Sequence, residues 1–245
     1  MTDRSPPDVR VESRRSLARI DTAARLVDVD TPSHPAPRRP RRSQAERSAD
    51  TRGRLIEAAI SCLHRLGYGG TTVTLVAQEA GVSRGAMTHQ FAAKTDLMLA
   101  VVRAVFEKDG RLYARFIAAL SPREFLRTLP ATMWEVISQP SGVAVIEIML
   151  AARSDPELAE QFRLLERDMA AEAHDWLVER LAAAELDERA DSRALHRLFV
   201  AAVRGLALEA VFMRNRQEVE ESIKVLGETL RCLYPALADQ QESRP

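Results

Sequence analysis

A chain of 245 residues with 46% apolar residues can build one large core or two small ones. Aromatic residues make up only 5%, and Ala and Leu dominate, which favours helices over a sheet-based core. The formal net charge of zero hides an asymmetry. Residues 38–95 carry ten Arg/Lys against four Asp/Glu, whereas residues 96–245 carry nineteen against twenty-five, which fits a module that meets a polyanion at one end only.

Residues 1–43 are rich in proline (Pro6, Pro7, Pro32, Pro35, Pro37, Pro40) and end in the basic run Arg38–Arg42. They read either as a basic arm for phosphates or a minor groove, or as a solvated charge run. The first thirty residues lack the apolar stretch of a signal peptide. The most apolar stretch, Gly142–Ala152, is too short to span a bilayer and contains Glu147. No membrane association is expected, and a cytoplasmic location follows.

From Asp50 the period is helical. Leu55, Ala58, Ala59, Cys62, Leu63 and Leu66 form one apolar stripe, which predicts a helix over 48–66 stopped by Gly67. Thr72 caps a short helix over 73–80, and Ser83 caps another that ends near Gln90. A fourth helix is predicted from Lys94 to about Lys108. Then Ser121-Pro122-Arg123-Glu124 forms a capping box that opens a helix to about Ser138, with a bend expected at Pro130. Further helices are predicted from Ser141 to Arg153, from Asp155 to Ala184, from Asp191 to Met213 and from Gln217 to Leu233. No strand alternation is sustained, and Cys62 and Cys232 both read as small core residues rather than metal ligands.

Residues 72–91, TVTLVAQEAGVSRGAMTHQF, have the make-up of a helix-turn-helix. Ala77 lets the two helices approach, Gly81 accepts a positive φ in the turn, and Val76, Val82 and Met87 supply a shared core. Ser83 leaves the first amides of the second helix free to meet phosphates or base edges. Arg84, Thr88, His89 and Gln90 face outward, while Gly85 and Ala86 permit close approach of the backbone. Lys94 and Thr72 are placed to reach phosphates. Phe91 is expected in the core.

Residues 51–97, TRGRLIEAAISCLHRLGYGGTTVTLVAQEAGVSRGAMTHQFAAKTDL, resemble the DNA-binding domain of the tetracycline-repressor (TetR) family. Gly67-Tyr68, Thr71-Thr72, Ala80–Ser83, Gly85, Phe91 and Lys94 stand where that family has them. Three positions depart from it: Thr88 replaces a tyrosine, Leu75 an acidic residue, and Ala93 a Ser/Thr cap. The resemblance implies an all-α homodimer. DNA contacts would come from Arg84, Thr88 and His89, with Thr72 and Lys94 on the backbone. It divides the chain into the arm 1–43, a DNA-binding domain 44–108, and an effector-binding and dimerisation domain 109–245. Two recognition helices about 34–36 Å apart would read a near-palindromic double-stranded operator.

In the C-terminal half, Glu147 needs a partner inside an apolar helix, and Arg204 stands in a similar run. They either pair with each other or orient a polar ligand. Trp134, Met149, Phe162, Met169, Trp176 and Phe212 are candidates to line a mainly apolar effector pocket beside them, although each also suits plain packing. Leu195, Leu198, Phe199, Ala202 and Leu206, with Val219, Ile223, Leu226 and Leu230, make two apolar faces suited to a four-helix dimer interface or to packing within one subunit. No phosphate loop, metal spacing or catalytic triad is visible, so neither an enzyme nor a cofactor is expected. The reading is therefore a repressor released from its operator by a small, largely apolar effector. The alternative is a helical small-molecule or partner-binding protein that has lost sequence-specific readout.

Overall fold

A computed structural model describes residues 43–189, 191–212 and 216–238, without the side chains of Phe212 and Arg216. Among the described residues there are nine α-helices, one closing 3-10 turn at Pro235–Leu237, and no strand. The arm with its Arg38–Arg42 run, and Met213, lie outside the described residues.

The helices begin where side-chain oxygens satisfy the free amides of a first turn. α1 (Gln44–Gly70) opens on a capping box: Glu46 N–H donates to Ser43 Oγ at 3.1 Å, and Ser43 N–H to Glu46 Oε2 at 2.6 Å. This start lies four residues before the one expected. α2 (Val73–Glu79) and α3 (Arg84–Gln90) are capped by Thr72 and Ser83 as expected. α4 (Lys94–Ala119) opens on Ala93, which has no side-chain oxygen, and keeps one reciprocal bond, Ala93 N–H to Asp96 Oδ2 at 3.0 Å.

α4 runs eleven residues beyond Lys108, without a break at the expected domain boundary. Gly110 does not stop it, because Tyr113, Phe116 and Ile117 continue its apolar stripe into a core. α5 (Pro122–Ile137) carries the predicted capping box and continues through a buried Pro130. α6 (Pro140–Ala152) starts one residue before the expected Ser141, which is buried instead of capping. α7 (Pro156–Ala183) is capped by Asp155, and α8 (Ser192–Phe212) and α9 (Arg216–Leu233) complete the bundle.

The buried side chains form two cores. The first gathers Leu55, Leu63, Val76, Met87, Phe91, Leu97, Met98 and Val101 from α1–α4, and is closed by Ala144 and Ile148 of α6 and Leu158 and Leu165 of α7. The second gathers Phe125, Leu126 and Met133 of α5, Leu177 and Leu181 of α7, Phe199 and Val203 of α8, and Ile223 and Leu230 of α9. α4 and α7 belong to both. Cys62 lies in the first core, but Cys232 is exposed on α9, on the side away from Leu230, and is not the core residue expected.

Candidate nucleic-acid interface

α2 and α3 are seven residues each, too short to persist alone. Four features hold them. Val76, Ala77, Met87 and Phe91 are buried on their inner side. Gly81, at φ 62°, makes the turn between them. Arg54 of α1 reaches across to donate to the carbonyls of Ala80 and, at 3.1 Å, Gly81. Glu79 ties α2 to α1 through Arg65 at 2.9 Å and Ser61 at 3.1 Å.

The far end of α3 is fixed to α1 as well. The Arg52 guanidinium sits 4.5 Å over the Phe91 ring and donates to the Gln90 carbonyl at 3.4 Å. Gln90 Nε2 donates to Ser48 Oγ at 2.7 Å. Gln90 therefore turns towards α1 rather than outward, contrary to expectation. Arg52 and Arg54 were not singled out in the sequence, where a charged helix face looks merely solvated.

What remains for solvent is the outer side of α3. Arg84, Gly85, Thr88 and His89 are exposed, Ala86 is half-buried, and Thr72 is exposed at the head of α2. The Thr88 hydroxyl donates to the Arg84 carbonyl at 3.0 Å, which leaves its lone pairs as acceptors. Phe91 is core, 4% exposed, as expected.

Lys94 is half-buried. Its Nζ donates to the Tyr68 carbonyl at 2.8 Å and lies 3.7 Å from the centroid of the Tyr68 ring. Burial lowers the pKa of this ammonium, and Asp155 partly opposes the shift. Burial also raises the Tyr68 phenol, with Asp155 adding to the effect.

The candidate pocket residues do not converge. Phe162 and Met169 pack on the first core, Trp134 and Trp176 on the second, and Met149 is half-buried on α6. Phe212 ends α8, but its side chain is not described. Glu147 and Arg204 are not paired. Glu147 Oε2 accepts from Tyr68 N–H at 3.0 Å. Arg204 instead feels Glu166, Asp109 and Tyr113, whose charges offset the lowering of its pKa by burial. A small apolar cavity between α5, α7, α8 and α9 is lined by Leu126, Met133, Leu177, His196, Phe199 and Tyr234 among others. Its volume is about 30 Å³, room for one water and not for an effector.

A capped recognition helix locked on its inner side and open on its outer one, on an all-α scaffold, defines a helix-turn-helix DNA-binding protein. Residues 55–101 match the family model for bacterial regulatory proteins, tetR family. The chain is 30% identical over 182 residues to the HTH-type transcriptional regulator CymR of Pseudomonas putida, covering 74% of this chain and 89% of that one. Among solved structures it is similar to the multidrug binding protein EbrR complexed with imidazole (30% identity, TM-score 0.53, 78% of this chain and 96% of that one). It is also similar to a TetR-family member from Streptomyces coelicolor A3 (28% identity, TM-score 0.54, 74% and 97%). The chain belongs to the TetR family of transcriptional regulators, which are not enzymes. No single helix among the described residues is long and apolar enough to cross a membrane.

Proposed function

We propose that the protein is a homodimeric repressor that binds a near-palindromic double-stranded operator and leaves it when a small, largely apolar effector enters the C-terminal half. One observation carries the DNA contact: Arg84, Thr88 and His89 share the open face of a helix whose other face is locked in place. Arg84 suits a guanine edge or a phosphate, and His89 a base edge. Thr88, with its hydroxyl proton on Arg84, suits an amino group of adenine or cytosine. The amides behind Ser83, the Thr72 hydroxyl and the remaining Lys94 protons suit phosphates. Gly85 and Ala86 let the backbone come close. DNA as partner implies a cytoplasmic, nucleoid-associated location.

Dimerisation is supported by apolar side chains that the subunit leaves uncovered. Phe199, Val219, Ile223 and Leu230 pack inside the subunit, but Leu198 is 62% exposed, Val211 53% and Val225 58%. The effector reading is supported by the mainly apolar second core, and EbrR, a relative by structure, is described as multidrug binding. The 30 Å³ cavity means that such a molecule would have to open the core as it enters.

The test is a titration of DNA from around the protein's own coding region at two salt concentrations, with random DNA as competitor. Tight binding that survives competition is expected. Fully salt-sensitive binding to every sequence, including a randomised duplex pool, would favour the second reading, a ligand- or partner-binding protein without specific readout. The feature that speaks for it is Thr88, short and folded back on its own helix.

A further inference from the structure

Glu147 is the only charged residue of α6, set between the buried Ile146 and Ile148. Glu147 is itself half-buried, and taking a carboxylate partly out of water is costly unless something compensates it. Its partner belongs to α1, 79 residues earlier in the chain. α1 is interrupted at Gly67 (φ 68°, ψ 176°), a conformation that essentially only glycine adopts. Glu147 Oε2 takes up the Tyr68 N–H at 3.0 Å. A Cβ on Gly67 would lie 3.0 Å from that same oxygen, so the glycine supplies both the break and the room for the carboxylate.

Tyr68 is engaged on its other side by Lys94. Its carbonyl accepts from Lys94 Nζ at 2.8 Å, and its ring lies 3.7 Å beneath the ammonium. Lys94 is the first residue of α4, three positions after Phe91 ends the recognition helix. Asp155, the cap of α7, acts electrostatically on both Tyr68 and Lys94. Tyr68 is therefore a seat with Glu147 of the C-terminal half on one side and a cation of the DNA-binding end on the other. A flexible ammonium held on such a seat loses less freedom when it meets a phosphate.

We infer that Glu147 is a positioning residue for DNA binding: by holding Tyr68 as the seat of Lys94, it makes the orientation of that ammonium follow the position of α6. A molecule that shifts α6 lifts the carboxylate from the Tyr68 amide, frees the seat and weakens a phosphate contact without touching DNA. The inference rests on the phosphate contact proposed for Lys94.

The experiment uses the full chain and a random-sequence duplex, because a phosphate contact is independent of sequence. Affinity is measured across a salt series. Lys94→Ala should lower the slope of log K against log salt by about one contact. Glu147→Ala should weaken binding by about threefold to tenfold and move the slope the same way, with no further loss in the Lys94→Ala background. Glu147→Gln keeps an acceptor oxygen and should restore the slope. Glu147→Asp keeps the charge but falls one methylene short, so it should behave like the alanine variant even if that one folds poorly. A slope unchanged by Lys94→Ala removes the phosphate contact and the inference with it. A slope lowered by Lys94→Ala but untouched by Glu147→Ala and Glu147→Asp, whatever their melting temperatures, overturns the inference alone.

Discussion

The two cores are built differently. The first supports two seven-residue helices, held by Arg54 on the Ala80 and Gly81 carbonyls and Arg52 on the Gln90 carbonyl, while Lys94 and Glu147 bond to the Tyr68 backbone and tie α4 and α6 to α1. The second is framed by longer helices, 16 residues in α5 and 28 in α7, around large rings. There Trp176 stands edge-on to Phe125 at 5.6 Å and tilted to Tyr113 at 5.6 Å. Among the described residues, His174 Nδ1 and Arg180 Nε of α7 and Ser141 Oγ of α6 are buried without a hydrogen bond. Short elements that must present a surface depend on directional bonds. Long ones can rely on apolar area and tolerate a few unmet polar atoms.

The largest expected effect follows from the apolar side of that contrast. Phe125 is fully buried in the second core. Phe125→Ala should cost about 3–5 kcal/mol of unfolding free energy, read from denaturant curves. Since α4 and α7 run through both cores, the loss should appear as one transition for the whole bundle. Two separated transitions, with the helix-turn-helix melting last, would show that the cores are energetically independent.

Next comes the directional side. Arg54→Ala removes both bonds across the helix-turn-helix turn and leaves the Ala80 carbonyl unmet. About 1–3 kcal/mol should be lost. DNA affinity should fall in parallel. Arg54→Lys should recover only part, because one ammonium does not reproduce the guanidinium fork. A variant that keeps full stability would mean that α3 is held by its apolar contacts alone.

A smaller effect is expected at the cap of α3. Ser83→Ala loses the bond from Ala86 N–H and should cost about 1 kcal/mol. If that amide also faces a phosphate, affinity should fall less than stability does, because the amide is released for the DNA. An equal fall in both would assign the cap to folding only.

Much of this organisation is legible in the sequence, and the reasons differ by site. The helix-turn-helix is local: its caps, its Gly81 turn and its buried positions lie within twenty residues, so spacing alone reads them. The Ser43–Glu46 box was equally readable, yet the apolar stripe that marks α1 begins only at Leu55. The run of α4 past Gly110 depended on a stripe resuming after a lone glycine. Glu147 was recognisable as a charge needing a partner, but that partner is a backbone amide, which has no sequence signature. The apolar residues nominated for a pocket distribute over two cores, because composition identifies what is buried and not which other residues it meets.

The last effect shows only as pH dependence, and it sharpens the comparison where the second region carries charge inside. Burial raises Asp109 of α4 to about 7, against the lowering influence of Lys108 and Arg204. In the unfolded chain this carboxyl titrates near 3.8. Between those values the folded protein holds a proton that the unfolded one has released. The contribution is therefore favourable at acidic pH and is progressively lost as pH rises towards 7, flattening above it. His196 of α8 works in the opposite sense. Burial lowers its pKa, with His174 and Arg204 adding to the shift, so its contribution is lost as pH falls below about 6.5. The net profile of the native chain mixes the two, and the variants separate them. Asp109→Asn should abolish the decline from pH 5 to 7 and leave the His196 loss exposed as falling stability towards acid. Unfolding curves at pH 5, 6 and 7 that decline as steeply in Asp109→Asn as in the native chain would place that carboxyl in solvent and leave Arg204 as the charge the second region must accommodate.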